Sequence, residues 1–180
     1  MQLKARPLLW ALSLLGLLSF APNALGEDMP EYRLKAAFLY NFVLFTEWPA
    51  EVGTTLNPTL NLCILGQDPF GKEADGLQGK SVGGRSIAVQ HKASSESLNG
   101  CQVVFIAPSA IHDLPRVLDR LHGSPVLTVA DSPGAARQGV AINMTVVQNK
   151  ITFEANLQAA RAAKLTLSSK LLRLATEVHQ

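Results

Sequence analysis

The stretch CQVVFIAPSAIHDLPRVLDRLHGSPVLTVA, residues 101–130, decides the fold class. Cys101 to Ala107 is a short apolar run of the length expected for a buried strand. Ser109 stands where a helix cap is expected, and Leu114, Val117, Leu118 and Leu121 recur at helical spacing between Ile111 and Leu121. Gly123 stops that helix, and Pro125 to Ala130 is apolar again apart from Thr128. Strands alternating with helices imply an α/β layered domain whose first half is mainly parallel.

The alternation continues on both sides. Upstream, Leu60 to Gly66 reads as a buried strand, Asp68-Pro69 opens a short helix to about Leu77, and Gly83-Gly84 is a turn before a strand at Ile87 to Gln90. Downstream, Val140 to Val147 and Ile151 to Ala155 read as an antiparallel hairpin joined at Gln148-Asn149-Lys150, which makes the sheet mixed. Leu157 to Ala163 is helical. Ser168 or Ser169 restarts a helix with an apolar face of Leu171, Leu172, Leu174, Ala175 and Val178.

The segment Leu34 to Pro49, LKAAFLYNFVLFTEWP, is of a different kind. Asp28 and Pro30 read as a helix start, and Trp48-Pro49 ends the helix because a residue before proline is pushed out of the helical region. Its interior is apolar almost all round, with Asn41 as the break. The expectation is therefore a helix buried on most sides, by its own domain or by another chain, with Trp48 packed on the sheet at its exit.

Lys4 and Arg6, the apolar run Leu8 to Phe20, and Ala24-Leu25-Gly26 have the layout of a secretory signal peptide, with cleavage expected after Gly26. The run is shorter than the roughly 20 residues a spanning helix needs. Residues 27–180 are then read as one exported domain. Removing the two leader cations from 16 basic residues leaves 14, against 14 acidic ones. That balance argues against nucleic acid as a partner.

Chemistry is sparse. Cys63 and Cys101 in an exported chain favour one disulfide, the alternative being two buried thiols. Two thiols with no nearby histidine pair argue against a zinc site, so no metal and no cofactor are expected. His91, His112, His122 and His179 accompany no Gly-x-Ser-x-Gly elbow, so the chain does not read as an enzyme. Gly79 to Arg85 is glycine-rich without phosphate-loop spacing. Asp131-Ser132-Pro133-Gly134, at a strand's C-terminal end, reads either as a helix cap or as a ligand site. Glu154 lies in the last strand, facing away from Phe153. On an edge strand, an outward carboxylate reads either as a solvated sheet face or as a docking surface.

The chain resembles the YfiR/HmsC-like family of periplasmic proteins from about Tyr32 to Val178. The resemblance rests on Lys35-Ala36-Ala37-Phe38-Leu39-Tyr40-Asn41-Phe42 with Phe45-Thr46-Glu47-Trp48-Pro49, Cys63-Ile64-Leu65-Gly66, Gly83-Gly84-Arg85, Gly100-Cys101, Pro125 to Val129, Ile142-Asn143, Ile151 to Leu157 and Ser169-Lys170-Leu171-Leu172. It implies a single Rossmann-like domain, a tendency to form a homodimer, and repression of an inner-membrane diguanylate cyclase by docking on its periplasmic sensor domain. Cyclic di-GMP and biofilm formation would follow that repression, and an outer-membrane-associated protein would sequester the repressor. The resemblance pairs Cys63 with Cys101 and sets Val140, Glu154 and Ala160 at partner-facing positions. A second cysteine pair found in the best-studied branch is absent around Gln138 to Ala141. Glu47, Thr166 and Ser168 stand where that branch has basic residues around a small-ligand pocket, so no ligand is carried over. The other reading is a periplasmic small-ligand sensor or carrier, binding near Asp131 to Gly134.

Overall fold

The computed structural model describes residues 31–50 and 58–180. The expected leader, the Asp28/Pro30 helix start and most of the connector before Pro58 lie outside the described residues. The chain opens with α1 (Glu31–Leu44) and a two-residue strand β1 (Thr46–Glu47), then β2 (Thr59–Leu65), α2 (Lys72–Asp75), β3 (Ser81–Val82), β4 (Arg85–Lys92) and β5 (Val103–Ile106). A 3-10 turn over Pro108–Asp113 runs into α3 (Leu114–Leu121), followed by β6 (Leu127–Ala130), β7 (Ile142–Val147) and β8 (Lys150–Asn156). Next come α4 (Leu157–Ala162), β9 (Thr166–Leu167), α5 (Ser169–Leu172) and β10 (Glu177–His179).

The main sheet runs β10-β8-β7-β6-β5-β2-β4-β3, and β1 pairs separately with β9. Strands β4, β2, β5, β6 and β7 are parallel, while the β7–β8 and β3–β4 pairs are antiparallel. The expected mixed, mainly parallel α/β sheet with its hairpin is thus present. At the hairpin tip Gln148 and Asn149 both take positive φ, 48° and 61°, as a two-residue primed turn requires.

Side-chain alternation divides the core into two layers. Leu62, Ile64, Phe105, Val129, Met144 and Phe153 belong to the cluster that includes Leu39, Phe42 and Val43 of α1. Cys63, Leu65, Val104 and Ile106 belong to the other, with Leu114, Val117 and Leu121 of α3. Phe42 and Phe153 meet edge to face, with ring centroids 4.9 Å apart.

Four sequence expectations are corrected. First, α1 buries one face, Lys35, Ala36, Leu39, Phe42 and Val43, while Arg33, Ala37, Asn41 and Leu44 form an exposed strip. Arg33, Ala37 and Asn41 are small or polar and need no cover, while Leu44 is left 44% exposed at the end of that strip. Trp48 is half-buried against the core, not enclosed, with the Arg85 guanidinium 5.8 Å from its ring centroid.

Second, the helix expected from Asp68 to Leu77 shrinks to α2. The Asp68 carboxylate accepts the Phe70 N–H at 2.8 Å, and Gly71 takes φ 53°, outside the helical region. Third, Ser109 does not cap α3. Its hydroxyl accepts the Gln67 N–H at 2.8 Å. Fourth, the final helix expected to reach Val178 stops at Leu172. The Thr176 N–H bonds the Phe153 carbonyl at 2.9 Å, and the chain then joins the open side of β8 as β10. Satisfying a sheet edge outweighs a short amphipathic turn, and Leu174 is left 71% exposed.

Cys63 and Cys101 are bridged, with Cα atoms 5.9 Å apart across a separation of 38 residues. Replacing both with serine is expected to lower unfolding free energy by about 3–4 kcal/mol in the chain-entropy account. Urea unfolding of the double variant against the oxidised protein checks this, and coincident midpoints would refute it.

Candidate functional site

The chain passes from β4, on one side of β2, to β5 on the other, so the carboxyl ends of β2 and β5 are where such sheets hold ligands. Here the chain itself fills that place. Gly66 ends β2 with φ 97°, and a Cβ there would lie 2.7 Å from Ser109 Oγ and 2.9 Å from Ala110 Cβ. The first turn of α1 covers the end of β6 next to it. Asp131 Oδ2 accepts from Tyr32 Oη at 2.8 Å and from Lys35 Nζ at 2.7 Å. Lys35 also pairs with Glu31 and lies 4.5 Å from the Tyr32 ring centroid.

The Lys35 and Asp131 side chains are 5% and 0% exposed, so this is a buried ion pair. Asp131 is therefore neither a free cap nor a cradle for an anion, which its carboxylate would repel. Its Oδ1 has no hydrogen-bond partner. Sequence reading missed Lys35 because it sits in an apolar helix and its partner is 96 residues away. Burial, and then the Asp131 carboxylate, raise the Tyr32 pKa well above the ordinary tyrosine value.

A second polar cluster forms at the far end of the sheet. The antiparallel β7–β8 register sets Asn143 opposite Glu154, and the parallel β8–β10 register sets Glu154 beside Glu177. Two residues on from Glu177, His179 returns to the same face. His179 Nε2 lies 3.6 Å from Glu154 Oε2, and His179 Nδ1 lies 3.5 Å from Glu177 Oε1. Arg137 holds Glu177 from outside at 3.1 and 3.3 Å. Glu154 is thus not on an edge strand, because β10 lies outside β8; the carboxylate remains 19% exposed beside it.

The other residues singled out from sequence are scattered. Val140 and Ala160 are 0% and 1% exposed, so within one copy of the chain their side chains belong to the core. Pairing of β1 with β9 brings Glu47 opposite Thr166, and Ser168 accepts the Leu171 N–H to cap α5. An open hollow of about 800 Å³ lies at the amino ends of β5 and β6, lined by Ser97, Asn99, Cys101, Arg120 and Ser124. Its one cation, Arg120, is spent on the Ser94 and Glu96 carbonyls.

A family model described as YfiR/HmsC-like matches residues 32–176. Among solved structures, a conserved domain protein from Vibrio cholerae O1 biovar eltor str. N16961 superposes with a TM-score of 0.56 at 6% identity, over 82% of this chain and 60% of that chain. The likeness lies in the fold alone. The ABC domain in complex with L-Trp from Streptococcus pneumonia gives a TM-score of 0.49 at 10% identity, over 66% of this chain and 55% of that chain. The chain spans less than two thirds of the length of either structure.

Two expectations follow from the Asp131 cluster. Lys35→Met strands a buried carboxylate and should cost about 3–5 kcal/mol, whereas Lys35→Met with Asp131→Leu should recover most of that. Urea unfolding of wild type and the two variants measures it; equal losses in the single and double variants would refute the pairing. The second concerns pH. The folded chain holds the Tyr32 proton more tightly than the unfolded chain, so the contribution of Tyr32 to stability is complete below about pH 10 and is lost at higher pH. The difference in phenolate absorbance between wild type and Tyr32→Phe should rise only well above pH 10. A difference midpoint at the free-tyrosine value would refute it.

Proposed function

Because the chain belongs to the YfiR/HmsC-like family, we propose that it is a periplasmic regulator of the cyclic di-GMP pathway, repressing an inner-membrane diguanylate cyclase by docking on the cyclase's periplasmic domain. Family membership supports the regulatory role. Glu154 supports the place of docking: of the three partner-facing correspondences, it alone keeps a side chain at the surface of one copy of the chain. The filled strand ends favour this reading over a small-ligand carrier, since Gly66, Ser109 and the Tyr32–Lys35–Asp131 cluster take up that space.

The carrying observation is the Glu154 carboxylate itself. Its Oε2 is shielded from solvent and makes no hydrogen bond, facing His179 at a distance too long for one. What a cationic or N–H group of a partner can reach is the 19% of the Glu154 side chain that stays exposed. Capture by an outer-membrane-associated protein, and formation of a homodimer, belong to the same proposal as ways of covering or releasing this surface.

Glu154→Gln keeps the shape and removes the charge, and Glu154→Lys reverses it. Both should fold, and recovery of the membrane cyclase in a pull-down should fall, by about 2–5 kcal/mol of binding free energy for Glu154→Lys. In cells the loss of repression would raise cyclic di-GMP. Undiminished recovery by folded Glu154→Lys protein would move the docking surface elsewhere, with the exposed strip of α1 as the next place to test.

A further inference from the structure

We propose that Glu154, Glu177 and His179 form a binding site for a divalent transition-metal ion of the zinc type. Each of the three can offer one ligand atom, and those atoms lie within 4.8 Å of one another. The arrangement is set by the sheet and not by loops. Glu177 and His179 are alternate residues of β10, and Glu154 is the register partner of Glu177 on β8, so all three point from one face.

The Glu154–His179 separation carries the inference. His179 Nε2 stands 3.6 Å from Glu154 Oε2, beyond good hydrogen-bond length, while Glu177 Oε1 faces the other ring nitrogen and would swing towards Nε2 to share the ion. Oxygen and nitrogen ligands about 2.0–2.1 Å from a tetrahedral ion stand about 3.4 Å apart, so the gap fits a shared metal better than a direct bond. Glu154 Oε2 and His179 Nε2 are both shielded from solvent, and neither has a hydrogen-bond partner. An imidazole placed with two carboxylates selects a borderline ion over magnesium or calcium.

A separate observation points the same way. Asn143, directly opposite Glu154 in the β7–β8 register, is fully buried and its Nδ2 has no acceptor, while its Oδ1 accepts the Ser132 N–H at 3.2 Å. Three protein ligands leave one position for water on a four-coordinate ion, and a metal-bound water beside Glu154 would supply the missing acceptor. Arg137, bonded to Glu177, offsets part of the negative charge and orients that carboxylate. The bound ion would clamp β10 to β8 by side chains as well as by backbone.

The test uses the purified chain with no affinity tag, titrated with zinc chloride in a calorimeter, with magnesium chloride as the control ion. One zinc per chain is expected, together with a rise in melting temperature. His179→Ala and Glu177→Gln should each weaken zinc binding at least about tenfold, since even residues that only orient metal ligands change affinity by that much. Glu177 is largely exposed, so its variant keeps the fold. His112→Ala, at a solvent-facing histidine, should bind as wild type. Absence of saturable zinc binding, binding that survives both ligand substitutions, or equal binding of magnesium would overturn the site. The measurement needs no partner protein, so its outcome is separable from that of docking through Glu154.

Discussion

Lys35 and Asp131 form an ion pair that the surrounding layers enclose almost completely, and the placement of the first helix depends on it. Two buried opposite charges gain little over an apolar pair of the same volume, but separating them is costly, so their main effect is to exclude other arrangements. An amphipathic helix can slide or rotate on a sheet at modest cost if only hydrocarbon is exchanged. With Lys35 joined to the end of β6 and Tyr32 donating to the same carboxylate oxygen, α1 has one rotation and one axial position.

From that anchor the aromatic packing follows. Leu39, Phe42 and Val43 descend the same face of the helix, and Phe42 meets Phe153 of β8. Near the anchor, Tyr32 meets Phe70 edge to face at 5.4 Å, and Phe70 meets Phe105 of β5 at 4.7 Å. The helix thus lies on one face of the sheet, with its first turn at the carboxyl end of β6 and Phe42 on β8. On the opposite face the Cys63–Cys101 bridge joins β2 to the entry of β5 under α3.

With the strand ends occupied, the chemistry left to the molecule moves to the far side of the sheet. There β10 extends the sheet beyond the hairpin and carries Glu177 and His179 to Glu154. The proposed docking and the proposed metal site draw on one property of this place: carboxylate and imidazole groups held by the ladder, with side-chain atoms left without hydrogen-bond partners. Metal bound to Glu154 would change the charge that a docking partner meets.

Much of the fold was legible in the chain. Strand runs at Leu60 to Leu65 and Val103 to Ile106, the α3 repeat of Leu114, Val117 and Leu121, and the closing hairpin are local patterns, set by which faces must be buried within a few residues. The ordered motifs carried the family, and the cysteine pair carried the bridge. Neither charged cluster could be found this way. Lys35 finds Asp131 across 96 residues, and His179 reaches Glu154 only because the last segment forms a strand, where its own spacing of leucines and alanines suggests a helix. Apolar periodicity is a property of neighbours along the chain. Which strand edge remains open, and which two charges must share one dry space, are decided only when the layers close.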